Sequence, residues 1–327
     1  MKSQLSAIAL AVGATLSLSA HAADTSTVTQ TGSSNNTAVT QSGNSPNFAT
    51  STVTETGSSN VTSISQTANS SFATSAVTDA DGANNNRTTV SQSGNTGASS
   101  TVVNWGSANT GTVSQTGVSD AYAVINQNGS ANTGSIDQSS GERQSATINA
   151  DDPWGARGTN NLAASTQTGA DQAAVIAQGA GSWNTAVTDQ SGQNNLTKLT
   201  QNGSSNQAYV TQYGGGAQNK ATLLQGGDSN IATLSQHGQD LIASLEQSGH
   251  NNRSATNQIG LSSEAAILQE GDWNVANVGQ SGNGAKNFAQ LSQTGDYNLT
   301  NITQNGGGFT SMNTQTGSNN TINVLQN

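Results

Sequence analysis

The chain has 327 residues, of which 31% are hydrophobic and 8% charged, with 37 glycines, two prolines, no cysteine and a formal net charge of -10. That composition excludes an oily core of ordinary size, a disulfide framework and a thiolate metal site, and its acidity argues against nucleic acid or an anionic membrane surface as partner. Low hydrophobicity on its own suits disorder, but the Val, Ile and Leu residues here fall at fixed places, which argues for an ordered repeat.

Residues 1–22 read as a secretory signal peptide. Lys2 precedes an apolar stretch from Ala7 to Leu18, and Ala20-His21-Ala22 has the Ala-x-Ala form of a cleavage site after Ala22. The stretch is too short to span a bilayer and no later segment is long enough, so the mature chain is expected to be exported without a transmembrane segment.

From residue 23 to 149 a Gln-x-Gly theme recurs loosely. Gln30, Gln41, Gln66, Gln92, Gln115, Gln127 and Gln138 hold its slot, and Glu55, Asp79, Asn104 and Asn149 are read as occupying it elsewhere. Buried carboxylates would interrupt a row of amides, so these coils are expected to be looser. Residues 150–160, with Asp151, Asp152, Pro153 and Trp154, fit no strand slot and are expected to form an extruded loop.

Residues 161–327 form the regular block. Its landmark glutamines are Gln167, Gln178, Gln190, Gln201, Gln212, Gln225, Gln236, Gln247, Gln258, Gln269, Gln280, Gln293, Gln304, Gln315 and Gln326, and most of the steps between them are eleven residues. Counting from each Gln, a Gly tends to follow at +2, an Asn at +5, a small residue at +7, an aliphatic residue at +9 and the next Gln at +11. Gln201, Gly203, Asn206, Ala208, Val210 and Gln212 show the full unit. Positions +5 to +11 alternate with period two, which is strand periodicity and places Asn, small, aliphatic and Gln on one face. The longer steps, Gln212 to Gln225 and Gln280 to Gln293, add their residues before Asn219 and Asn287, in the turn, where insertions leave the register intact.

One such strand cannot bury its face alone. Two strands joined by turns make a coil of about 22 residues, and coils stacked at ~4.8 Å pair every strand with its equivalents above and below. The expected fold is therefore all-β: a β-solenoid with two facing parallel sheets and rows of Asn and Gln inside. Each carboxamide carries both donor and acceptor, so like amides stacked in register can satisfy one another along a row.

The string Gln-x-Gly-x-x-Asn-x-Ala-x-x-x-Gln at Gln201 to Gln212, with Gln212-Tyr213-Gly214-Gly215-Gly216 after it, resembles the curlin repeat of curli fibre subunits, and the resemblance runs over roughly residues 28–327. It implies an extracellular structural protein that polymerises on the surface of a Gram-negative bacterium into functional amyloid supporting biofilm and adhesion. Its implied partners are further copies of itself, homologous curli subunits, periplasmic chaperones and an outer-membrane export machinery. The residues it implies for assembly are Asn184, Gln190, Asn195, Gln201, Asn206, Gln212, Asn219, Gln225, Asn230, Gln236, Asn252, Gln258, Asn274, Gln280, Asn287, Gln293, Asn298, Gln304, Asn320 and Gln326. Curli major subunits carry a glycine-rich segment before the first repeat and about half as many repeats, whereas here the repeats follow Ala22 almost at once. A minor, nucleating subunit and a non-polymerising β-helical adhesin are the alternatives.

Asn320, Ile322, Val324 and Gln326 make a last complete strand motif, whose open edge is expected to template a further chain. No catalytic, cofactor or metal site is expected: His237 and His250 fall at turns, Asp79-Ala80-Asp81-Gly82 lacks the later ligands of a calcium loop, and the glycine runs lack a phosphate-binding Lys. Trp183, Trp273, Tyr213 and Tyr297 are expected to cover turn edges, and outward Lys198, Lys220, Asp189 and Glu246 to limit sideways sheet association.

Overall fold

A computed structural model describes residues 14–18, 24–42, 48–67, 72–150, 158–179, 181–214, 218–282 and 285–327. Successive strands alternate between two sheets, every pairing is parallel, and no helix occurs among the described residues. The fold is a β-solenoid. It divides into two compact units, Met1–Asp171 and Gln172–Asn327. This boundary lies about ten residues beyond the one read from the sequence.

In the N-terminal unit the first sheet stacks Ala14–Leu18, Asn36–Gln41, Val61–Thr67, Arg87–Ser93, Thr110–Ser119, Thr133–Glu142 and Leu162–Ala170. The second stacks Thr25–Ser33, Thr50–Ser58, Thr74–Asn84, Ser99–Ser107, Tyr122–Ser130 and Ser145–Ala150, and the short strand Gly158–Thr159 also pairs with Tyr122–Ser130. In the C-terminal unit the first sheet holds Thr185–Gln193, Gln207–Gly214, Ile231–Gln239, Arg253–Leu261, Val275–Gly282, Leu299–Asn305 and Thr321–Gln326. Its second sheet holds Ala173–Gln178, Leu196–Asn202, Lys220–Asp228, Ile242–His250, Glu264–Glu270, Phe288–Thr294 and Thr310–Thr316.

Alternation decides which face is inside. In Gln207–Gly214 the residues Ala208, Val210 and Gln212 are buried while Gln207, Tyr209 and Tyr213 are exposed, and Asn206 just before the strand is buried with the inner set. Aliphatic side chains at +9, among them Leu199, Leu223, Leu234, Leu245, Leu291 and Ile302, are fully buried, each contributing about 1.5–3 kcal/mol by leaving water.

The turn explains the glycine. At +4 the backbone is left-handed whatever the side chain, as at Ser205, Ser229, Asn251, Trp273 and Tyr297. At +2 the φ angle is also positive, and there a Cβ on Gly203, Gly227 or Gly249 would sit 2.0, 2.2 or 2.1 Å from the carbonyl oxygen of the glycine one coil on. Only glycine lets adjacent turns approach this closely.

Three segments bear on the boundaries and slots read from the sequence. The strand Ala14–Leu18 lies within the segment read as a leader and pairs with Asn36–Gln41 in the register Ala14 to Thr37 and Leu18 to Gln41; the remainder of residues 1–22 lies outside the described residues. Its sequence Ala-Thr-Leu-Ser-Leu has the same small-polar alternation as a repeat strand. Within the expected 150–160 loop, Ala150 closes one strand and Gly158–Thr159 forms another, so only residues 151–157 fall outside the description. Finally, it is Ala150 that stands in register with Gln127, whereas Asn149 pairs with Asn126 on the outward side and donates nothing to the inner column. Counting from the theme misplaced that slot by one residue, and in a strand one residue changes the face.

Candidate assembly core

Each sheet carries its glutamines as a column. In the first sheet of the C-terminal unit, Nε2 of Gln190, Gln212, Gln236, Gln258, Gln280 and Gln304 donates to Oε1 of the next glutamine, ending on Gln326, at 2.7–2.9 Å. In the second sheet the column runs from Gln178 through Gln201, Gln225, Gln247, Gln269 and Gln293 to Gln315, at 2.8–3.1 Å. Donation always points toward the C-terminus.

The second amide hydrogen crosses to the other sheet. Gln212 Nε2 donates to the Leu196 carbonyl at 3.3 Å, Gln225 to Gln207 at 3.0 Å and Gln247 to Ile231 at 3.2 Å. An interior glutamine thus spends both hydrogens and accepts one, which satisfies it without water. The same bonds tie the two sheets together at the rim of the core. Threonines at +7 add to this link: Thr197 Oγ1 receives Gln190 Nε2 at 3.1 Å and donates to Gln212 Oε1 at 2.8 Å, and Thr300 does the same between Gln293 and Gln315 at 3.2 and 2.7 Å.

Asparagines at +5 work differently from the expected amide-on-amide row. Asn206 Oδ1 accepts the backbone N–H of Asn230 at 3.0 Å, and its Nδ2 donates to the Gly227 carbonyl at 2.8 Å. Asn230, Asn252 and Asn274 repeat this clamp on the coil that follows each of them. Direct bonds between asparagine amides add to the clamp at Asn298 to Asn274 and Asn320 to Asn298, at 3.1 and 3.0 Å. A shorter side chain next to the turn reaches backbone before it reaches its own kind. The asparagine therefore fixes the turn of the next coil, while the glutamine joins coil to coil through side chains.

The sequence-derived residues fall into these columns as follows. Asn184, Asn206, Asn230, Asn252, Asn274, Asn298 and Asn320, with their seven glutamines, lie on the first sheet; Asn195, Gln201, Asn219, Gln225, Asn287 and Gln293 lie on the second. Most are buried, but Asn320 is exposed and Gln326 half-buried, both at the last strand. Gln178, Gln247, Gln269 and Gln315 continue the second column although they were not singled out, since Leu241, Ser263 and Phe309 replace asparagine at +5 beside three of them. At Leu241 and Phe309 the backbone N–H still bonds the asparagine of the coil before, Asn219 and Asn287, at 3.1 Å in both cases. The clamp requires the asparagine side chain only on the donating coil.

In the N-terminal unit the first sheet is equally regular. Gln41, Gln66, Gln92, Gln115, Gln138 and Gln167 make an unbroken column at 2.7–2.8 Å over steps of 23–29 residues. Asn35, Asn60, Asn86, Asn109, Asn132 and Asn161 form the matching clamps at 2.8–3.1 Å. The second sheet alone departs from the pattern. Its inner column reads Gln30, Glu55, Asp79, Asn104 and Gln127 in register, and the backbone of Ala150 pairs in register with Gln127. Its +5 column reads Ala49, Ala73, Ala98, Ala121 and Gln144, all buried.

Glu55 and Asp79 are both fully buried. Gln30 Nε2 donates to Glu55 Oε2 at 2.7 Å, and Asn104 Nδ2 to Asp79 Oδ1 at 2.8 Å. Burial pushes the Asp79 carboxyl up to about 6, with the Asn104 bond opposing and the Glu55 charge reinforcing the shift. Just after Asp79 the register slips, and Ala83 takes the place of the turn glycine beside Gly57.

The family model of the curlin associated repeat matches residues 192–217 and 260–295. Over these two stretches the chain is similar to the curlin repeat. Both matched stretches lie in the C-terminal unit, where glutamine columns are complete in both sheets. No curated protein sequence matches the chain. The unmatched curlin-like coils of the N-terminal unit keep the same turn and the same first-sheet columns.

Outside the core, His237 and His250 are exposed, and His250 Nδ1 lies 3.5 Å from Asp228 Oδ2. Trp273 and Tyr297 stack in parallel with ring centroids 6.2 Å apart, both at left-handed turn positions, and Tyr213 donates its hydroxyl to Asp189. No group of three or more metal-ligating side chains occurs among the described residues.

Proposed function

We propose that this chain is a secreted structural subunit that assembles end to end into curli-type extracellular fibres, serving biofilm cohesion and surface adhesion. The observation that carries the reading is the common polarity of the glutamine columns. Gln304 donates to Gln326, and Gln326 spends one amide hydrogen on the Thr310 carbonyl at 3.1 Å. Because every such glutamine donates one amide hydrogen along its column toward the C-terminus, each coil offers the same donor and the same apolar inner residues to a further coil of the repeat. An incoming strand of the same repeat meets donors with acceptors and apolar with apolar.

On this reading residues 1–22 leave as a signal peptide after Ala22. Their removal takes away Ala14–Leu18 and uncovers the edge of Asn36–Gln41 in the N-terminal unit. The buried amides of the two sheets are then the assembly residues, and export would need periplasmic chaperones and an outer-membrane pore.

Seeded growth tests this reading. Purified protein starting at Ala23 is expected to form thioflavin-positive fibrils, with preformed fragments abolishing the lag. A chain that stays monomeric for days at high concentration under the same conditions would leave the surface-adhesin reading standing instead. Strong acceleration of a homologous subunit at substoichiometric amounts would assign the nucleating rather than the bulk role.

A further inference from the structure

We propose that Asp79 keeps a buried proton beside Glu55 in the folded chain, and that this proton is the missing donor of the second-sheet column of the N-terminal unit. The argument is one of hydrogen-bond direction. Every glutamine column elsewhere donates toward the C-terminus, and Gln30 follows that rule onto Glu55. Asn104 breaks it by donating backward onto Asp79. Two donors therefore converge on the acid pair from outside, and the remaining oxygens, Glu55 Oε1 and Asp79 Oδ2, are buried without a partner. The two residues stand in register one coil step apart, each with one such acceptor oxygen. A proton on Asp79 supplies an O–H donor among these acceptors, and it removes one of two like charges from a dry interior.

Among the described residues nothing else nearby neutralises the pair. The inward residues of the strands opposite, Thr37, Val39 and Gln41, Thr62, Ile64 and Gln66, and Thr88, Val90 and Gln92, are uncharged, as are the column neighbours Gln30 and Asn104. Arg87 is exposed on the outside of its strand. The C-terminal unit contains no buried carboxylate among its described residues, so this sensitivity belongs to one unit only.

The consequence is a stack that tightens on acidification. With its pKa raised from 3.8 to about 6, Asp79 keeps a proton in the folded chain that the unfolded chain releases. The associated stability is fully present below about pH 4 and is lost as pH rises through about 6.

Hydrogen exchange of the full chain, corrected for intrinsic rates, reads this directly and does not depend on fibre formation. The opening constant of Thr50–Ser58 and Thr74–Asn84 is expected to rise ~100-fold between pH 4 and 6 and then level off. The Glu55→Gln/Asp79→Asn double variant, whose column closes with amides, should lose that slope, and the C-terminal strands should lack it in both proteins. Equal slopes in the wild type and the double variant overturn the proposal. Should the double variant fail to fold, the infrared band of a protonated carboxyl in the wild type at about pH 6, where exposed carboxyls have titrated, decides: its presence supports the buried proton and its absence overturns it.

Discussion

The two sheets of the N-terminal unit share a chain and a turn, yet from Gln41 onward one keeps an unbroken Gln and Asn lining while the other holds Glu55, Asp79 and Asn104 in its inner column. The sequence reading spread those departures over the whole block as general looseness. Stacked coils sort them instead: residues that alternate along the chain, Gln41 after Gln30 and Gln66 after Glu55, fall into separate columns. The first sheet can therefore stay continuous while the second varies. By contrast, the C-terminal unit keeps complete glutamine columns on both sides.

Substitutions can press on this difference, and the largest effect is expected where the units agree. Gly227→Ala places a Cβ 2.2 Å from a carbonyl oxygen at a positive φ of 87°, and should cost about 3 kcal/mol or more in urea unfolding of the C-terminal unit. A loss below about 1 kcal/mol would mean that the coils separate easily.

Glutamine truncation separates the units. Gln225→Leu strands the Gln201 donor and the Gln247 acceptor, two buried groups at about 1–3 kcal/mol each, so about 2–5 kcal/mol is expected. Gln127→Leu in the N-terminal unit should cost clearly less, since Gln127 Oε1 is already unpartnered and only its bond to the Thr110 carbonyl is lost. Equal costs, read as shifts of the denaturant midpoint at unchanged slope, would refute the idea that column continuity carries the stability.

Asn206→Ala frees the Gly227 carbonyl and the Asn230 N–H, and about 2 kcal/mol is expected, with exchange quickening first in the adjacent turn. Smallest of all is Trp273→Ala. It removes an exposed stacked pair worth about 0.5–1 kcal/mol and should leave the seeding rate nearly unchanged, because the rings lie on the turn edge and outside the columns.

Much of this was legible from spacing. The eleven-residue beat and its period-two interior set the strands, the turns, the coil length and the inner face, because a strand has only two faces and one of them was amide-rich throughout. Glu55, Asp79 and Asn104 were placed in the inner slot by the same count. Asn149 was placed there too, but wrongly, because near the irregular segment no following glutamine fixed the phase. The asparagine clamp and the threonine cross-links were invisible for another reason: a repeat pattern says which residues stack, but not whether a side chain's reach ends on its equivalent or on backbone.

The sequence by itself determined the repeat, its register and the amide-lined interior, since these follow from local periodicity that every coil restates. Only the tertiary structure decided the direction of donation along each column, the sorting of departures into one sheet, and the meeting of Glu55 with Asp79. Those depend on which coil lies above which and on where each hydrogen finds an acceptor, relations between residues 22 to 29 positions apart that no single repeat contains.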